Sequence, residues 1–228
     1  ERLFCDDTLK NNGKNLFIHG PPGVGKTVAV KHVFRELEQK TDEIIPIYVN
    51  CWQKNTSFKI ALEICEKLGY SFTHNKKTDD LFDIIIKFVN KRSAVFCFDE
   101  VDKAEDLDFL YTLLEGIYRK TILLITNYKS WFSKLDERIR SRLTLEFVEF
   151  KKYDFNETRG ILKNRLQYAF VRGCWEDEAF DLVATKTDRL GDIRSGLYLL
   201  RESGNAAEDD ASRKITKKHV KKAIKKLN

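Results

Sequence analysis

Gly20-Pro21-Pro22-Gly23-Val24-Gly25-Lys26-Thr27 decides the fold. The octapeptide fits G-x-x-x-x-G-K-[ST], and its flanks give the pattern meaning. The apolar run Leu16–His19 stops at Gly20 and reads as a buried strand. From Lys26 to Gln39, Val30, Val33, Phe34 and Leu37 share one helical face. Strand, glycine-rich turn and helix follow in that order. Glycines let the backbone fold tightly, so that its N–H groups point at phosphate oxygens. The helix N-terminus adds a favourable partial positive charge. Lys26 is expected to reach the β- and γ-phosphates of a nucleotide, and the Thr27 hydroxyl to ligate Mg²⁺.

Further strands are expected over Ile44–Val49, Ala94–Phe98, Thr121–Thr126 and Leu143–Val148. Between them the spacing predicts helices over Thr56–Leu68, Leu81–Val89 and Leu107–Tyr118. The first should bury Phe58, Ile60, Ala61, Ile64, Cys65 and Leu68, with Gly69 closing it as a C-cap. The second should turn Leu81, Ile84, Ile85 and Phe88 inward, and the polar stretch Ser71–Asp80 reads as a loop. Strands alternating with helices, each strand apolar on both faces, predict an α/β fold with a parallel sheet covered on both sides. After Phe150 only helices are expected, over Asp154–Arg172, Glu176–Asp188, Ile193–Ala207 and Thr216–Leu227. The chain thus divides into an α/β domain, residues 1–150, and a helical domain, residues 151–228, with no Gly/Ser linker between them.

Four more stretches carry chemistry. Val95-Phe96-Cys97-Phe98 is a buried strand ending in Asp99-Glu100-Val101-Asp102. Asp99 sits where a carboxylate holds Mg²⁺, and Glu100 is placed to polarise an attacking water as a general base. Asp102 reads equally as a helix-leading cap or a functional acid. Asn127 follows the strand ending at Thr126, at the strand end where a parallel sheet forms its ligand crevice. Its amide can bridge a γ-phosphate and the water, or simply form a turn. Leu135–Leu143 carries Arg138, Arg140 and Arg142. That segment is either an exposed basic turn or a source of an arginine offered to a neighbouring subunit's ATP. In Gly191-Asp192-Ile193-Arg194, Asp192 can cap the next helix. Arg194 in the first turn opposes the helix dipole, which points to a partner such as phosphate.

Composition narrows the class. The 228 residues are 42% hydrophobic and 33% charged, as in an ordinary globular protein. No stretch approaches the ~20 apolar residues of a membrane helix, and Glu1-Arg2-Leu3-Phe4 has no signal pattern. Methionine is absent even at position 1, so the sequence reads as a piece of a longer chain. The five cysteines, Cys5, Cys51, Cys65, Cys97 and Cys174, form no C-x-x-C pair and read as free thiols in a reducing compartment. The four histidines are scattered, with no zinc spacing. Net charge is +6, but Arg213–Asn228 holds eight basic residues and no acid. The basic character therefore belongs to one terminal helix, read as a solvated face before a nucleic-acid contact.

Taken together, the order of these motifs resembles the AAA+ superfamily, and within it the archaeal origin-recognition and replication-licensing (Orc/Cdc) group. The match rests on Gly20–Thr27, Asp99–Asp102, Ile125-Thr126-Asn127, Leu135–Leu143 and Gly191–Arg194. Local agreement at Tyr48-Val49-Asn50-Cys51, Ile161–Arg165, Leu199–Gly204 and Lys218-His219-Val220 extends it over nearly the whole chain. The resemblance implies a five-stranded parallel P-loop domain with a helical lid, ATP or ADP with Mg²⁺, and slow ATP hydrolysis. It makes Gly20, Pro21, Pro22, Gly23, Val24, Gly25, Lys26, Thr27 and Asp99 nucleotide-binding. Asn127 becomes sensor 1, Arg194 sensor 2, and Arg142 a finger acting in trans, ahead of Arg138 and Arg140. Implied partners are origin DNA, the replicative helicase and other AAA+ subunits, with no membrane, in the cytoplasm (or the nucleus of a eukaryote). Members usually carry a basic or aromatic stretch before the first strand and a C-terminal winged helix for DNA. Only Glu1–Asn15 precedes the strand in this sequence, which stops at Asn228 before the place where a winged helix would be expected. The helical insertion that touches DNA in such initiators would fall in Thr56–Val89. A clamp-loader-like remodelling ATPase shares all these motifs, and a nucleotide-gated assembly switch with little turnover is a third reading.

Overall fold

Five apolar runs become five strands in a computed structural model that describes residues 13–227. They are β1 (Asn15–His19), β2 (Ile44–Asn50), β3 (Ser93–Asp99), β4 (Lys120–Thr126) and β5 (Leu145–Glu149). All neighbours are parallel, in the order β2-β3-β4-β1-β5. The chain divides into two compact units. One comprises the segment up to Gly20 together with Gly25–Phe150. The other comprises Pro21–Val24 together with the segment from Lys151 onward.

In the first unit the two-residue period of the strands sorts side chains between two cores. Leu16, Ile18, Val95, Cys97, Leu123 and Ile125 meet Val30, Phe34 and Leu37 of α1 (Lys26–Lys40). Phe17, Phe96, Phe98, Ile122 and Leu124 face the opposite core with α2 (Ser57–Lys67), α3 (Thr78–Val89) and α4 (Asp108–Gly116). Thr56 caps α2 by accepting from Lys59 N, and Gly69 follows it at φ 76. Two aromatic side chains expected inside lie outside: Phe58 is 39% and Phe88 43% exposed. Phe82 and Val89 fill the place expected of Phe88. The helix α3 also opens three residues early, at Thr78, because Asp80 folds back to accept from Lys77 N at 2.9 Å.

The segment before the last strand departs further from expectation. Lys129–Lys134 is a 3-10 turn and Glu137–Leu143 is a helix, α5. Asp136 caps α5 by accepting from Arg138 N at 2.8 Å. Leu143 therefore ends a helix, fully buried, instead of opening β5. β5 itself is not apolar on both faces: as an edge strand it exposes Glu146, Phe147 and Glu149. At the other edge, β2 contains Pro46 opposite Val95, which removes one backbone donor.

In the second unit α6 (Phe155–Ala169), α7 (Asp177–Leu190), α8 (Ile193–Asp209) and α9 (Lys217–Leu227) enclose Leu162, Phe180, Val183, Leu199, Leu200 and Val220. A capping box opens α6: Asp154 accepts from Glu157 N at 2.8 Å, and Glu157 accepts from Asp154 N at 2.9 Å. One short parallel bridge, Trp175 with Ile215, adds a strand-like contact that periodicity did not signal.

Asn15 ties the start of β1 to both its flanks. Its amide nitrogen donates to Leu143 O at 2.6 Å and its oxygen accepts from Ile122 N at 2.8 Å. Asn15→Ala leaves both backbone groups short of a partner. A loss of about 1–3 kcal/mol in urea unfolding is expected, whereas a loss under a few tenths would show that water replaces the amide.

Candidate nucleotide site

Parallel pairing of β1, β4 and β3 brings their C-terminal ends, at Gly20, Asn127 and Asp99, to one edge of the sheet. Gly25 N-caps α1 at φ 87, a left-handed conformation that favours glycine. The turn leads straight into Lys26, which is only 6% exposed. The ammonium of Lys26 donates to Gly20 O at 2.7 Å and to Asn127 Oδ1 at 2.8 Å. The P-loop lysine and the sensor-1 candidate are thus in direct contact.

Beside them, Thr27 Oγ1 donates to Asp99 Oδ2 at 2.5 Å. Asp99 is 3% exposed, so its carboxylate needs partners. Three donors meet it: Thr27, the Tyr48 hydroxyl at 2.8 Å on the same Oδ2, and Glu100 N at 2.9 Å on Oδ1. Burial, then the bond to Asp99, pushes the Tyr48 phenol well above its ordinary pKa, so it stays a donor at working pH. Hydroxyl and carboxylate oxygens side by side form the hard-oxygen set that Mg²⁺ prefers. Among the described residues no cluster of three or more His, Cys, Asp or Glu side chains is arranged for a metal. An Mg²⁺ here would therefore lean on substrate phosphates and water.

Glu100 follows at φ 54, ψ 40, a left-handed backbone rare for a side chain larger than glycine. Such conformations cost on the order of 1–3 kcal/mol and cluster at functional sites. Asp102 turns out to be a strut: it accepts from Thr126 Oγ1 at 2.8 Å and pairs with Lys103 at 3.4 Å. Thr126 in turn accepts from Tyr128 N at 3.2 Å. The ends of β3 and β4, which carry Asp99 and Asn127, are thereby locked together.

Pro21–Val24 and the helical residues have their own contacts. Gly23 has φ +80, and a Cβ there would lie 2.1 Å from Asp192 Oδ1. The Tyr153 hydroxyl donates to Val24 O at 2.9 Å. Asp192 caps α8 by accepting from Arg194 N at 2.8 Å, as expected. The Arg194 side chain is exposed, with no ion pair among the described residues.

The three arginines of α5 differ in their partners. Arg138 pairs with Asp136 through Nε at 3.2 Å and Nη2 at 3.1 Å. Arg142 bonds Glu115, donates to Arg138 O at 3.1 Å, and lies 5.2 Å from the Tyr111 ring centroid. Arg140 is exposed and has no ion pair among the described residues. On α9, Lys217, Lys218, Lys222 and Lys226 pair with Glu178, Asp210, Asp210 and Glu202. Much of the terminal basic run is therefore met within the unit. Cys51, Cys65 and Cys97 are buried free thiols, and burial pushes Cys51 up to about 12. Cys5 and most of Glu1–Asn15 lie outside the described residues.

Residues 9–128 match the family model of the AAA domain, and residues 159–225 match the Cdc6 AAA+ ATPase-type lid domain. The chain belongs to the AAA+ ATPases. It is 35% identical over 222 residues to ORC1-type DNA replication protein 1 of Sulfurisphaera tokodaii, covering 92% of this chain and 56% of that protein. It is 32% identical over 233 residues to the ORC1-type DNA replication protein of Thermococcus kodakarensis, covering 93% and 56%. The chain thus spans little more than half the length of these relatives. The fold is similar to the Aeropyrum pernix ORC1 protein, solved in complex with DNA, at a TM-score of 0.84 and 25% identity, over 95% of this chain and 60% of that one. Among the described residues no helix is long and apolar enough to cross a membrane.

The sequence motifs give no role to Thr126 or Tyr48, which enter only through the family resemblance, and none contains Tyr153. The first two were polar residues inside otherwise apolar strands, a signal that something beyond the core claims them. Thr126→Val removes the donor to Asp102 and the acceptor for Tyr128 N. It should cost about 1–3 kcal/mol in urea unfolding, with Thr126→Ser restoring most of it. Equal behaviour of the two variants would show that the methyl group, not the hydroxyl, is what matters.

Proposed function

We propose that this AAA+ chain is the ATP-binding and ATP-hydrolysing module of a DNA replication initiator, one that recognises origins and helps load the replicative helicase. The observation that carries the chemistry is the convergence of Lys26, Thr27, Asp99 and Asn127 at one edge of the sheet. The similarity to ORC1-type replication proteins supports the biological setting. The division into an ATPase domain, residues 1–150, and a lid domain, residues 151–228, belongs to the same reading.

In this mechanism the Gly20–Gly25 turn wraps the phosphates, and its non-proline residues offer backbone N–H groups to them. Lys26 exchanges Asn127 and Gly20 for the β- and γ-phosphates. Thr27 and Asp99 would hold Mg²⁺, which when bound would neutralise negative charge on the phosphates. Glu100 polarises the attacking water, and Asn127, released by Lys26, orients it. Arg142 of another subunit completes the site as a finger, and Arg194 responds to the nucleotide as sensor 2. The intramolecular partners of Arg142 give Arg140, which has no ion pair among the described residues, a claim to be tested beside it. Origin DNA, the helicase and other AAA+ subunits are the partners, and the cytoplasm is the setting.

Lys26→Ala should abolish ADP and ATP binding by calorimetry while leaving the far-UV spectrum unchanged. Glu100→Gln should keep binding and lower turnover by ~10²-fold or more. Mixed in equal amounts, Glu100→Gln and Arg142→Ala should regain part of the wild-type turnover, because each supplies what the other lacks. Recovery with Arg140→Ala and none with Arg142→Ala would move the finger to Arg140. A folded wild-type chain that binds no nucleotide would sink the whole reading.

A further inference from the structure

The Asp99 carboxylate has a donor that the nucleotide mechanism leaves unassigned. β2 runs parallel to β3 with Tyr48 opposite Cys97 and Asn50 opposite Asp99. Ile47 and Val49 point into the core of α2, α3 and α4, so the strand's alternation puts Tyr48 on the α1 side. Cys97 is on that side too, and Asp99, two residues on, shares it. The phenol therefore reaches diagonally along the sheet, one strand over and two residues forward. Its hydroxyl meets Oδ2 of Asp99 at 2.8 Å. On α1, Lys31 Nζ sits 4.3 Å from the centroid of the same ring.

A carboxylate on a short side chain has a broad, soft terminal torsion, so its orientation is set by whatever it bonds to. Of the three donors on Asp99, Glu100 N is its neighbour in the chain and fixes only Oδ1. Thr27 belongs to the nucleotide site itself, and its oxygen is to be shared with the metal. Tyr48 alone comes from an element outside the nucleotide loop and the Asp99-Glu100 turn. Its rigid ring is held by the sheet beneath and by a cation above.

We propose that Tyr48 is a positioning residue for the metal half of this site. Its hydroxyl fixes the Asp99 carboxylate in the orientation that supports Mg²⁺ beside Thr27, and Lys31 holds the ring in place. The proposal rests on the ATP–Mg²⁺ reading of the same residues and deepens it: Tyr48 acts on the metal, through Asp99, and not on the phosphates. Partners that orient a ligand from outside the coordination sphere typically tune metal affinity by 10–100-fold.

The test is ADP binding by calorimetry, with excess EDTA and across a Mg²⁺ titration, for wild type, Tyr48→Phe and Lys26→Ala. Tyr48→Phe keeps the ring, its packing and the contact with Lys31, and removes only the hydroxyl. It should raise the Mg²⁺ concentration for half-maximal tightening by about tenfold and leave the EDTA affinity within twofold of wild type. Lys26→Ala should lose binding in both conditions. An unchanged Mg²⁺ dependence in Tyr48→Phe overturns the proposal and leaves the nucleotide reading standing. So does an equal loss with and without Mg²⁺, which marks Tyr48 as a structural residue. A wild type whose ADP affinity ignores Mg²⁺ overturns both.

Discussion

A buried carboxylate organises this molecule. Asp99 is nearly inaccessible, and a negative charge in that position is tolerable only if its oxygens are met by donors. Three elements supply them: the start of α1 through Thr27, the end of β2 through Tyr48, and the turn after β3 through Glu100 N. Each donor constrains its own element, so β2, β3 and α1 are registered against one another at the edge where a nucleotide would sit. A second polar bond of the same kind, from Thr126 to Asp102, carries the register across to β4 and hence to Asn127. Lys26 closes the circuit by bonding Asn127. The apolar core decides that there is a sheet, and these few polar bonds decide how its ends line up.

The same network shows why part of the site was legible from residues alone. A glycine-rich turn between a strand and a helix, and two acids at the end of an apolar strand, are patterns whose meaning is local. So are caps, and Gly69 and Asp192 both act where their types and positions suggest. Tyr48 is different, because its significance depends on which strand lies beside β3. Strand order is a long-range property, and no spacing within β2 encodes it. The helix α5 was hidden for another reason. Its seven residues are too few to show two turns of apolar periodicity, and three arginines dominate its appearance. Apolar character alone would bury Phe58 and Phe88, yet both are exposed, because folded proteins leave much apolar surface in water.

Charge distribution tells a parallel story. The run of lysines on α9 looked like a free basic face, yet several are tied to acids of α7, α8 and the end of α8. Exposed pairs of this kind add little stability, but they lower the field the helix projects. The arginines of α5 are sorted in the same way. Arg138 and Arg142 are occupied within the chain, and Arg140 is exposed, with no ion pair among the described residues. Residue type marks a segment as basic, and only the fold says which of its cations are available.

The two borders of the sheet have a consequence for assembly. At one border Pro46 interrupts the row of backbone donors of β2. At the other, β5 is five residues long and bears Glu146 and Glu149. A missing donor and outward charges are how natural sheets discourage a further strand from joining. Among the described residues, neither border of the sheet invites a strand from another copy. Helices and loops are then the better fastening points for a neighbouring copy, and they can shift without breaking a ladder of hydrogen bonds.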